Sequence, residues 1–149
     1  MDYPIYADLK KYVYDAGKAS GAGDQEGSVI YSRGMYAAVV IAEAIRKAQE
    51  LAGKSAVNAA EVRAGFEALE ITDARMAELG LEGFGQAFAA SCSDHGGPGG
   101  AMIQQWDAAA GKWVLTTDFI APDDEVLDPL VLEDSAAYAK ENNIAERCN

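Results

Sequence analysis

The sequence predicts an α/β chain of about five helices plus a small antiparallel sheet of about three strands. Two observations carry this. Apolar residues recur at helical spacing through roughly the first 80 positions, and from Phe84 onward the pattern changes to short apolar runs parted by Gly and Pro clusters. A third is bulk: half of the 149 residues are hydrophobic, enough to build a core, so intrinsic disorder is excluded as an overall reading.

The elements follow in order. Pro4 suits a first helical turn, where its missing N–H is not needed, and Ile5, Leu9, Tyr12 and Val13 share a face before Gly17 stops the run, which predicts a helix over 4–16. The next stretch, GKASGAGDQEGS, is polar and glycine-rich and reads as a linker. A helix standing alone before such a linker needs something to pack against, the first sign of a part of something larger. The strongest helical segment is YSRGMYAAVVIAEAIRKAQELA, Tyr31 to Ala52, with Ser32 as N-cap and Gly53 as stop. Its first half is apolar nearly all round and predicts burial on several sides. Glu43, Arg46, Lys47 and Glu50 make the second half amphipathic.

Asn58 caps the next helix, with Glu61 in the capping-box position and Val62, Phe66 and Leu69 forming one stripe. Thr72 caps a shorter one that runs through Leu79 and ends at Gly80. The runs QAFAASC, AMIQQWD and KWVLTTDFI then predict three strands of an antiparallel meander, with SDHGGPGG as a wide hairpin and DAAAGK as a turn. Trp106 and Trp113 flank that turn as a cross-strand pair. Pro129 opens a last helix through about Asn142.

Charge narrows the function classes. With 24 acidic against 12 basic residues the net charge is −12, a field that repels nucleic-acid backbones and anionic membrane surfaces. No run reaches the length of a membrane span, and the first twenty residues, broken by Asp2, Asp8, Lys10 and Lys11, do not form a signal peptide. That reads either as a cytosolic protein or as a mature fragment whose export signal lay upstream. Cys92 and Cys148 fit no metal motif, which leaves a disulfide or two free thiols.

The stretch around Ser91, Cys92, Ser93, Asp94 and His95 sets a nucleophile, a base and a carboxylate close in sequence. Neighbouring side chains on one loop rarely converge on one reacting atom, so a structural turn is the better account and no catalytic residue is assigned. A metal at Asp94 and His95 would need two further ligands that the sequence does not nominate, and no metal or cofactor is assigned. The glycines at 96, 97, 99 and 100 lead into a strand-like run rather than a helix, which argues against a phosphate loop. Tyr31 and Arg33, an aromatic and a cation at the start of a buried helix, fit a rim between layers or lobes.

The ordered set KKYVYDAGK, YSRGMYAAVVIAEAIRKAQE, AAEVRAGFEALEITDARMAELGLEGF, SCSDHGGPGG and IQQWDAAAGKWVLTTDF resembles the C-terminal portion of the branched-chain amino acid substrate-binding proteins of ABC transporters, the leucine, isoleucine and valine binding class. The resemblance covers essentially the whole chain. It implies part of a two-lobed type I periplasmic binding protein, in which residues 1–17 are a helix from the second lobe, 18–30 a crossover linker, and 31–149 the first-lobe helices, small sheet and C-terminal helix. It further implies a non-enzymatic, periplasmic component that captures branched-chain amino acids or related small molecules and delivers them to an inner-membrane ABC permease. Tyr31 would match an aromatic pocket position with Ser32 and Arg33 beside it, most of the pocket would lie outside this chain, and self-association of a truncated chain would follow. The periplasmic address favours a Cys92–Cys148 disulfide. Two other readings remain: a small enzyme using Cys92 or Asp94 with His95, and an independent interaction module.

Overall fold

The computed structural model describes residues 3–21, 27–145 and 148, and it divides into two compact units, Met1–Gly97 and Pro98–Asn149. Together they form an α/β chain with five α-helices and two small antiparallel sheets among the described residues.

In the first unit, helix α1 (Pro4–Leu9) starts on its proline and passes into a π-helical stretch, Lys10–Tyr14, in which Asp15 N donates to Lys10 O across five residues at 2.8 Å. Gly17, at φ 65°, ends the segment. The predicted helix over 4–16 is thus present, wider in its second half than an α-helix. It does not stand alone. Ile5 is buried in the core, its N–H donates to Gly80 O at 3.2 Å, and Tyr3 meets Phe84 edge to face at 5.0 Å. Part of the predicted linker, 22–26, lies outside the described residues.

Helix α2 (Val29–Ala52) begins one turn earlier than expected. Its N-cap is Ser28, whose hydroxyl accepts from Tyr31 N, so Ser32 is a residue of the first turn and not the cap. Both serines fit the capping rule, and sequence alone cannot rank them. Gly53 closes the helix in the left-handed conformation, φ 64°, as expected. Asn58 and Glu61 form the expected capping box on α3 (Ala59–Glu67), and Thr72 caps α4 (Asp73–Glu78) by accepting from Arg75 N.

The core gathers Ile5, Met35, Ala44, Leu69, Ile71, Met76 and Leu81, with Phe66, Phe84 and Phe88 packed against it. The α2–α3 crossing is close because Gly65 lacks a side chain. A Cβ there would meet the Ala44 carbonyl and sit 2.8 Å from Ala48 Cβ. Burial on several sides, expected for the first half of α2, is not what this chain provides: Val29, Ile30 and Ile41 are exposed.

The three-stranded meander does not form. Strand β1 (Glu70–Ile71) pairs antiparallel with β2 (Phe88–Ala89), in the register Ile71 to Phe88, and in the second unit β3 (Gln104–Asp107) pairs with β4 (Lys112–Leu115). The run containing Phe88 turns back to cover Ile71, which is 1% exposed, so SDHGGPGG joins no paired strands and is not a hairpin. Trp106 and Trp113 face each other across the β3–β4 ladder with ring centres 5.6 Å apart. The turn between them is built by Asp107, whose Oδ1 accepts from Ala109 N and Ala110 N, and by Gly111 at φ 62°. An isolated bridge, Ala101 to Ile120, extends the hairpin.

Helix α5 (Asp124–Glu141) starts earlier than predicted and carries Pro129 inside it rather than at its first turn. None of the described residues of the second unit is fully buried.

Candidate functional site

The start of α2 meets α1 through hydroxyls. Ser32 Oγ donates to Ser28 O at 2.7 Å, and since a hydroxyl has one proton, the 2.6 Å contact with Tyr6 Oη is donated by the tyrosine. Tyr14 Oη donates to Tyr31 Oη at 2.8 Å. Beside these bonds runs an open apolar groove of about 520 Å³ lined by Ile5, Leu9, Tyr31, Met35, Val39 and Ala42. Burial raises the pKa of Tyr3, with a smaller contribution from Tyr6, and raises that of Tyr36, so both phenols stay neutral and act as apolar bodies with a hydrogen-bonding tip.

The expected trio Tyr31, Ser32 and Arg33 does not converge. Successive helical residues point about 100° apart. Tyr31 lines the groove, Ser32 is tied to Tyr6 and Ser28, and Arg33 is exposed with no ion pair among the described residues.

A second groove of about 520 Å³ lies between α2, α3 and β2, lined by Val40, Val62, Phe66, Leu69 and Phe88, with His95 at its edge. Its rim cation, Arg63, is held by Glu67 at 2.6 Å. The loop before it is engaged in shaping itself: Ser91 Oγ accepts from Asp94 N at 3.0 Å, and Asp94 Oδ1 accepts from Gly96 N at 2.9 Å. His95 is exposed and makes no hydrogen bond to Ser91, Cys92 or Asp94 among the described residues, so the nucleophile, base and carboxylate adjacent in sequence are not an aligned set. Among the described residues no group of three or more His, Cys, Asp or Glu side chains gathers into a metal-binding cluster.

The concentrated charge of the first unit is elsewhere. Glu43, 5% exposed, takes two bonds from Arg75 in fork geometry, Nε to Oε2 at 2.9 Å and Nη2 to Oε1 at 2.7 Å, and further bonds from Arg46 at 3.0 and 3.2 Å. Arg75 also reaches Glu78 at 2.7 Å. The Arg75 hydrogen bonds hold the Glu43 carboxyl below the usual range, with Arg46 adding to them against the opposing effect of burial, and they raise the Arg75 pKa in return. This cluster clamps α2 to α4. Sequence reasoning placed Glu43 on a solvated face, whereas it is the buried anion of the unit. The only signal was its position at the end of the run Ala37–Ala42, directly followed by Ala44, on an otherwise apolar stretch of the helix.

No protein-family model and no curated protein matches this sequence. Among solved structures, a crystal structure described as an ABC transporter permease from the Pseudomonas fluorescens group is 42% identical over 99% of this chain, with a TM-score of 0.87. The chain spans 36% of the length of that neighbour. Among the described residues no helix is long and apolar enough to cross a membrane. The ABC-transport setting expected from sequence is supported by this match. The more specific expectation, a branched-chain amino acid substrate-binding protein that captures ligand, is overturned by it, because the neighbour is described as a permease, the membrane component of such a transporter.

Proposed function

We propose that this chain is a portion of an ABC-transporter component, working outside the bilayer by packing against other parts of the transporter rather than by chemistry of its own. One observation carries the reading: near-complete correspondence, at 42% identity, with part of a chain described as an ABC transporter permease. Local geometry supports the non-catalytic half, since the loop bearing Ser91, Asp94 and His95 uses its polar atoms to hold its own turn. A periplasmic address belongs to the same proposal. It is supported by the cysteines, neither of which is a free thiol, a state that persists in oxidising compartments.

The test is co-purification. The chain is affinity-tagged in its native gene, membranes are solubilised in mild detergent, and the eluate is assayed for ATP hydrolysis. An ATP-hydrolysing ABC subunit that elutes with the tagged chain is expected. Recovery of the chain without such a subunit, from cells in which ABC subunits are detected in the same detergent extract, rejects the proposal.

A further inference from the structure

Helix α5 is out of balance with its surroundings. It spans 18 residues, carries Pro129 in its interior, and exposes Val126, Leu127, Leu130, Val131, Leu132 and Tyr138, each at least 45% accessible. At 100° per residue, Val126, Leu127, Leu130, Val131 and Tyr138 fall on one side and Leu132 on the opposite side, a pattern of burial on more than one face. A helix of this length with an internal proline and no packed face is not stable in water. The rest of its unit offers no compensation, since the β3–β4 hairpin leaves Trp106 and Trp113 at least half exposed. A two-stranded hairpin is itself marginal without a covering layer.

The neighbour offers a source for a covering layer. Its fold matches 99% of this chain at a TM-score of 0.87, α5 included, within a polypeptide of which this chain spans only 36%. Charge adds to this. Asp124, Glu125, Asp128, Glu133, Asp134 and Glu141 surround the apolar side chains of α5 against a single cation, Lys140. A surface of that kind repels anionic lipid and selects an apolar seam rimmed by Lys and Arg. We propose that α5 docks onto such a seam, supplied by a polypeptide segment equivalent to the part of the neighbour that this chain does not span, and that its helical order depends on that docking.

Amide hydrogen exchange tests this in two samples. The first is the 149-residue chain alone, at several concentrations. Amides of 126–141 are expected to exchange at least about 100-fold faster than those of α2, the difference between an unpacked and a packed helix. Strong protection at every concentration overturns the proposal, and protection that grows with concentration assigns the face to a second copy, which overturns it too. The second sample is the Pseudomonas fluorescens group protein with this chain replacing its matching third. Protection of α5 is expected to rise by at least about 100-fold there, and the pair Leu130→Asp with Val131→Asp to abolish the rise while α2 stays protected. No rise, or a rise that survives both substitutions, refutes the docking. Neither sample measures transport, so this proposal and the transporter reading fail separately.

Discussion

Replacing Arg75 with methionine removes the main partner of a buried anion while keeping most of the volume of its side chain. In the folded protein Glu43 then retains only Arg46, whose side chain is 52% exposed and whose two bonds converge on one carboxylate oxygen, leaving Oε1 without the 2.7 Å bond it had. Breaking a fully buried pair costs about 3–5 kcal/mol, because the remaining charge stays desolvated. Arg75 is itself 31% exposed and water can replace part of its contribution, which lowers the expectation to about 2–3 kcal/mol. Urea unfolding monitored by circular dichroism should show the midpoint fall with an unchanged slope. The double variant Glu43→Met with Arg75→Met should recover most of the loss, since it removes the stranded charge along with its partner. A loss below about 0.5 kcal/mol, within the range of ordinary surface substitutions, would show that the cluster is a surface ion pair in effect, whatever its burial.

The same cluster fixes a pH dependence. Glu43 titrates below its ordinary value in the folded state, so the stabilisation is fully present above the unfolded carboxyl pKa and is lost as pH falls through the lower, folded one. Wild-type stability should therefore decline on the acid side of about pH 4.3. In Glu43→Gln that part of the decline should vanish. An identical acid profile for both proteins would remove Glu43 from the explanation.

Three further outcomes follow from particular positions. Gly65→Ala forces a methyl into the Ala44 carbonyl and Ala48 at the α2–α3 crossing and should cost at least about 1–3 kcal/mol, the usual penalty for overpacking, seen as a lower thermal midpoint. Tyr31→Phe removes the acceptor of the Tyr14 hydroxyl and should cost about 0.5–1.5 kcal/mol in the same melt, with full retention of stability showing that water substitutes for it. Cys92 and Cys148, the sole cysteines, should appear as one intramolecular disulfide in unreduced mass spectrometry of protein from an oxidising compartment, and two alkylatable thiols would reject the pairing.

What the sequence revealed and what it hid divide along physical lines. Local chemistry was legible: the Asn58–Glu61 capping box, the Thr72 cap, and the stops at Gly17 and Gly53 depend on residues within one turn of each other. Pairing over distance was not. Strand β1 is two residues long, too short to show any period, and only the burial of Ile71 explains why the segment holding Phe88 folds back toward it. The Glu43–Arg75 clamp joins positions 32 apart, and nothing local distinguishes a carboxylate destined for the interior from one on a solvated face. Pro129 misled for a related reason. Proline favours the first turn of a helix, yet Asp124 and Glu125 supply acidic side chains to an earlier start, and the chain accepts the proline one turn on. The functional resemblance failed more coarsely: ordered motifs pointed to the transport setting, and the permease description of the matching structure corrected the role within it.

The two units differ in what sustains them, and the difference bears on how the chain works. In the first, Leu69, Ile71, Met76 and Leu81 are at most 2% exposed, and a charge clamp, three side-chain caps and a close helix crossing agree with that core. Such consistency across levels marks a structure its own sequence specifies. The second unit has well-formed local chemistry, including the Asp107 turn and the opposed tryptophans, without a buried residue among those described. Local chemistry of this kind selects a conformation but contributes only about 1 kcal/mol per pair, far less than the entropy of ordering some fifty residues. Full burial of an exposed aliphatic side chain is worth about 1.5–3 kcal/mol, so covering the five large aliphatic side chains of α5, each 45–70% accessible, would supply about 4–9 kcal/mol, enough to decide whether the helix exists. Stability in the first unit is therefore intrinsic, whereas the proposed docking of α5 would supply that of the second. Under the proposed transporter role, the order of the second unit is a readout of assembly.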